Sequence, residues 1–222
     1  MKNSNALENR AARPILPIAC ATALAVAFTV AWPQLAHAHH HVTPPLVPAN
    51  IEVPTGNKAF LVGHAVGTQN YICLPSGTGF AWTLFTPQAT LFNDDDDQVI
   101  THYFSPNPIE EGTVRATWQH SRDTSTVWGK VNPGHFSSDP SFVAPDAIPW
   151  LLVTVVGAQD GPTGGHKLTA TTFIQRLNTS GGVAPSMGCA ALTDVGKQEF
   201  VPYTADYFFY KEATKNDADD DY

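Results

Sequence analysis

The chain is divided into short extended runs by turn residues, roughly every ten residues, and it never settles into a sustained helical period. Residues 113–119 show the pattern best. Val114, Ala116 and Trp118 alternate with Arg115, Thr117 and Gln119, which is the signature of a half-buried strand. Residues 150–156 (WLLVTVV) form a near-continuous β-branched and apolar run and read as a central strand. Further strands are expected at 59–66, 69–74, 80–86, 99–104, 126–131, 168–177 and 199–210. Gly67-Thr68 is expected to turn the first two, and Pro87 to break the third before it resumes at 89–92. Such a chain is all-β. Uneven strand lengths and long loops favour an antiparallel β-sandwich, with a closed or partly open β-barrel as the alternative.

The first 38 residues read as a secretory signal peptide. Lys2, Arg10 and Arg13 make a basic leader, residues 15–32 are apolar, and Ala36-His37-Ala38 is a small-residue cleavage site. Residues 39–56 form a Pro-rich extended lead-in expected to pack one edge through Leu46, Val47 and Ile51. Residues 57–211 form a single all-β domain, and residues 212–222 an acidic, disordered tail. Removing Lys2, Arg10 and Arg13 from the 12 basic residues, and Glu8 from the 20 acidic ones, leaves a net charge of −10. Such a surface repels phosphate backbones and offers no basic stripe to an anionic membrane, so neither nucleic acid nor membrane is an expected partner. The destination is secreted or periplasmic. Cys73 and Cys189 are expected to form one disulfide there. A bond across their separation of 116 residues is worth about 4.8 kcal/mol by chain entropy.

Several motifs fail their chemistry. Residues 93–97 (NDDDD) lack the alternating ligands and glycine of a calcium loop and read as a solvated hairpin tip. Residues 184–188 (APSMG) are one residue from a nucleophile elbow but sit in a Gly/Pro loop without the flanking strand and helix. Residues 161–167 (GPTGGHK) lack the spacing of a phosphate loop. Asn178-Thr179-Ser180 is a glycosylation sequon. No cofactor is expected, with copper as the alternative. A mature terminus at His39 could bind Cu(II) through its amine and ring, with His64 or His102 completing the site, or through the imidazole of His41.

The polar residues within strand patterning carry the site hypothesis. Gln175, Arg176 and Asn178 end one strand, Asp206 lies among Tyr203, Tyr207 and Phe209, and His102 occupies an aromatic strand. An arginine among apolar neighbours needs a partner, with Asp206 and Asp146 the candidates. Two arrangements are open: a buried Arg176–Asp206 clamp fixing strand register, or a polar cleft lined by Trp82, Trp118, Trp150 and Tyr203 that suits a sugar or other small molecule. A catalytic version pairs His102 with Asp123, Asp146 or Asp206.

Residues 144–152 (APDAIPWLL), 173–189 (FIQRLNTSGGVAPSMGC) and 201–210 (VPYTADYFFY) together resemble the family known as domain of unknown function 3455. Tyr71-x-Cys73, Trp82, Ala89-x-Leu91, His102, Trp118 and a Val127-x-Gly129 turn fit the same pattern. The resemblance implies an exported bacterial or fungal protein with no established activity. The malate dehydrogenase label on some fungal members does not fit a chain without a dinucleotide-binding G-x-G-x-x-G. Where the family tends to read G-P-T-W and D-G-S, this chain has Arg115-Ala116-Thr117-Trp118 and Asp123-Thr124-Ser125, which implies a different turn. The resulting expectation is a small-molecule or carbohydrate binding or structural module rather than an enzyme. A His/Asp hydrolase and a copper oxidoreductase are the alternatives.

Overall fold

The computed structural model describes residues 42–214. The leader, His39, His41 and the last eight residues of the tail lie outside this range.

Eight strands follow in order: β1 (Asn57–Ser76), β2 (Gly79–Phe92), β3 (Gln98–Asn107), β4 (Thr113–His120), β5 (Thr126–Ser137), β6 (Trp150–Gln159), β7 (Thr171–Gly181) and β8 (Gln198–Glu212). Each pairs antiparallel with the next, and β8 returns to pair antiparallel with β1. The fold is therefore the closed barrel, not the favoured sandwich. The seam explains why. β1 and β8 are the longest strands and pair from Asn57↔Glu212 to Ile72↔Gln198. In a sandwich each would present an edge of unpaired N–H and C=O groups; closure joins the two edges.

The length of β1 was hidden by Gly67-Thr68, which is not a turn. A Cβ at Gly67 would lie 2.1 Å from the Gln88 carbonyl oxygen, so glycine here permits close approach of β2 in mid-strand. Pro87 likewise does not break β2: it pairs with Gln69, next to a bulge that leaves Phe85 unpaired. Val127-x-Gly129 lies inside β5 rather than in a turn. β5 also runs on past residue 131, through a bulge at residues 132–135. Residues 93–97 do form the β2–β3 tip, where the Asn93 side-chain oxygen accepts from the Asp95 and Asp97 amides at 3.1 and 2.8 Å. In the D-T-S turn Thr124 sits at φ 57°, a left-handed conformation that a β-branched residue adopts only under strain.

Period-two alternation sorts the side chains onto two sides of the wall. Inside, Leu91, Ile100, Trp118, Ile174, Tyr207 and Phe209 belong to one buried cluster. Outside β6–β8, Trp150, Leu152, Leu177, Phe208 and Tyr210 form a second, covered by Ile51, Val47 and Val53 of the lead-in. The lead-in therefore lies across a face, since a closed barrel has no edge; Leu46 remains exposed. Full burial of Ile51 contributes about 2–3 kcal/mol. Asn50 tethers the lead-in by donating to the Gly134 and Phe136 carbonyls of the β5 bulge at 2.8 and 2.7 Å. The Cys73–Cys189 disulfide ties β1 to the β7–β8 loop.

Candidate functional site

A cavity of about 320 Å³ occupies the barrel interior. Its walls run from buried Trp118 and Tyr207 to exposed Leu84 and Val131, so it reaches solvent. Phe104, Leu151 and Val153 make much of the remainder apolar. Gly129 also lines it. A side chain there would meet the Val153 Cγ1 at 2.4 Å and press on Trp118, so glycine keeps this wall thin.

Arg176 supplies the charge. On β7 it stands opposite Tyr207 of β8, and alternation sends both side chains inward. Its Nε and Nη2 donate to the Pro149 carbonyl at 3.3 and 2.8 Å, which fixes the guanidinium plane. No carboxylate among the described residues forms an ion pair with it, and no Asp or Glu lines the cavity.

His102 stacks on Trp118 with ring centroids 4.4 Å apart. Its Nδ1 lies 2.8 Å from the Thr117 carbonyl, which can only accept, so Nδ1 carries the proton and Nε2 is left as an acceptor. Burial lowers its pKa to about 3; the Thr117 bond opposes this and the Arg176 charge adds to it. The ring is neutral at physiological pH. Burial raises the pKa of Tyr71 and Tyr207, against the charge of Arg176. The Tyr71 hydroxyl donates to the Gly182 carbonyl at 2.7 Å, holding the β7–β8 loop over the rim. Two lining residues carry side-chain donors without an acceptor: Trp118 Nε1 and Gln69 Nε2, on residues only 1% and 2% exposed.

Of the residues singled out from the sequence, the cavity collects His102, Trp118 and Arg176. Tyr203 is interior, 3.3 Å from the Tyr207 hydroxyl. The others lie elsewhere. Asp206 is one residue out of phase with Tyr207 and points outward, bonded to His64 Nδ1 at 2.7 Å and to Asn178 at 2.8 Å. It therefore makes no clamp with Arg176, and the sequon's Asn178 is engaged in this outer network. Gln175 faces the outer cluster, donating to the Ile51 carbonyl at 2.7 Å and accepting from the Tyr210 hydroxyl. Trp150 packs there against Phe142. Trp82 donates to the Met187 carbonyl beside the disulfide.

The His102–carboxylate pairings do not form. Asp146 is exposed. Asp123 locks the opposite end of the barrel, accepting from the Ser125 hydroxyl at 2.7 Å and the Lys167 amide at 2.8 Å, and its pKa is lowered to about 2. The proposed copper ligands His39 and His41 lie outside the described residues. His64, one of the histidines considered for that site, is bracketed by Asp206 and Asp94.

Sequence reasoning missed Gln69, Tyr71, Tyr207 and Gly129. The signal for Tyr207 was present: with Tyr203, Ala205 and Phe209 it makes a single-phase apolar row, and that phase excludes Asp206.

A closed antiparallel barrel of eight strands is the size at which the interior either fills with side chains or holds one small ligand, and here it is partly filled and partly hollow. The chain belongs to the family described as Protein of unknown function (DUF3455), whose model matches residues 54–211. Comparisons with curated proteins and with solved structures found no match.

Proposed function

We propose that this is an exported barrel that binds one small, largely apolar molecule in its interior. The observation carrying this reading is the solvent-reaching cavity of about 320 Å³, apolar over most of its wall, with a few fixed polar groups. Export is supported by the leader, by the cleavage motif and by the pairing of Cys73 with Cys189. A carbohydrate suits the cavity less well, because a sugar presents hydroxyls on every side and Leu84, Phe104, Val131 and Leu151 offer them no partners. Binding rather than catalysis is favoured by the neutral, stacked His102, whose protonated nitrogen is committed to a backbone carbonyl.

The test uses a neutral phenylnaphthylamine dye, with the fluorescence of dye and Trp118 as readout. Wild type is expected to bind one equivalent. Ala116→Trp, which fills the cavity from β4, should abolish binding while leaving the circular dichroism spectrum and melting cooperativity intact. Equal binding by the filled variant would place the dye elsewhere and overturn the reading.

A further inference from the structure

We infer that the cavity selects a monocarboxylate with an apolar body, its carboxylate seated on the Arg176 guanidinium. This rests on the small-molecule reading above and specifies its ligand.

Among the described residues, Arg176 is the one charged side chain lining the cavity and no Asp or Glu joins it, in a chain where acidic residues outnumber basic ones 20 to 12. A half-buried cation is normally matched by a carboxylate from the same protein. Here the two carboxylates considered from sequence are absent from the lining, Asp206 because of its strand phase and Asp146 because it stays at the surface. The Pro149 carbonyl orients the guanidinium without neutralising it. It takes the guanidinium through Nε and Nη2, and the Tyr207 hydroxyl lies close to the same side chain, so a carboxylate seated on Arg176 would share it with these two neutral groups.

The chemistry of the guanidinium points the same way. Its N–H groups only donate, and a carboxylate only accepts, so a carboxylate answers them where an amine would add a second cation. A phosphate fits less well. It brings close to two negative charges against one cation, and the neutral His102 cannot supply a second. The volume of about 320 Å³ admits a compact aromatic or short alkyl body behind the carboxylate, and Leu84, Phe104, Val131 and Leu151 meet that apolar part.

Calorimetry with benzoate, cinnamate and octanoate, each beside its neutral amide, tests this on wild type, Arg176→Met and Arg176→Lys. At least one acid is expected to bind wild type tenfold or more tightly than its amide. Raised salt should narrow that margin. Arg176→Met should bring acid and amide to parity while still binding the neutral dye, and Arg176→Lys should keep part of the preference. If the dye binds and no acid outcompetes its amide, or if the preference survives in Arg176→Met, the carboxylate inference is overturned and the cavity reading stands. If neither dye nor acid binds wild type, both are overturned.

Discussion

Gln175 and Arg176 are neighbours on one strand, yet they belong to two different environments. Gln175 faces the lead-in, and both ends of its amide are used: Ile51 accepts from it and Tyr210 donates to it. Arg176 faces the cavity, held by one carbonyl and matched by no carboxylate. Two of the histidines on the wall, His102 and His64, divide in the same way. His102, inside, is neutral and stacked on an indole. His64, outside, is bracketed by Asp206 and Asp94, and the hydrogen bond that its ring donates to Asp206 is the largest cause of its raised pKa. On the outer face the Gln175 amide is fully paired and fastens the lead-in, although the Trp150 indole N–H there has no acceptor. The inner face retains unmet polar capacity. Complete satisfaction is what stability selects, and a pocket requires capacity kept for something not yet bound.

Breaking Gln175 should produce the largest effect. Gln175→Ala leaves a buried carbonyl and a buried hydroxyl unpaired, and is expected to cost about 3 kcal/mol in urea denaturation with the disulfide intact. Arg176→Met should change stability by no more than about 1 kcal/mol in either direction, since it removes an unmatched charge and substitutes an apolar side chain. Equal losses at the two positions would erase the distinction between the faces.

The histidines sharpen the comparison through pH. His102 has a folded pKa of about 3 against an ordinary 6.5. Within that window the unfolded chain takes up a proton that the folded chain refuses, so stability falls as pH is lowered. The slope from this residue is at most about 1.4 kcal/mol per pH unit. His102→Phe should flatten it. The folded pKa of His64 is raised, so its contribution is fully present below 6.5 and is lost as pH rises through the folded value. The effect is smaller, because the pair is solvent-screened. His64→Gln should remove this opposite slope. Melting curves between pH 3 and 8 on both variants measure the two signs; like signs would contradict the assignment of inner and outer histidines.

The smallest expected effect lies away from both faces. Thr124→Gly replaces a β-branched residue at φ 57° with the residue that adopts this conformation without a Cβ penalty. It should raise stability by about 0.5–1 kcal/mol, less than the strain relieved because glycine also loosens the unfolded chain. Ligand preference should not move. A loss of stability would show that the Thr124 side chain, which donates to the Asp123 carbonyl at 2.8 Å, outweighs the strain.

Much of this molecule was legible in residue order. The phase of residues 113–119 places Ala116 and Trp118 on the cavity side, and the run 150–156 is the heart of β6. Cys73 and Cys189 are the bonded pair. Arg176 was recognisable as an arginine in need of a partner. Less legible was the meaning of Gly67 and Pro87. Each breaks a local pattern, and each is tolerated because a particular neighbouring strand lies against it.

What the sequence determined by itself is what period two and composition determine: all-β character, approximate strands, the side of the wall each residue takes, and a chain built to be stapled. Closure was decided only by tertiary structure, because it depends on β1 and β8 finding each other across the length of the domain. The cavity depends on closure in turn, since inward-facing side chains leave a hollow only once the wall is complete. The isolation of Arg176 from Asp206 follows from both. Two residues can lie on paired strands and still be separated by the wall itself, because a shift of one position moves a side chain from inside to outside.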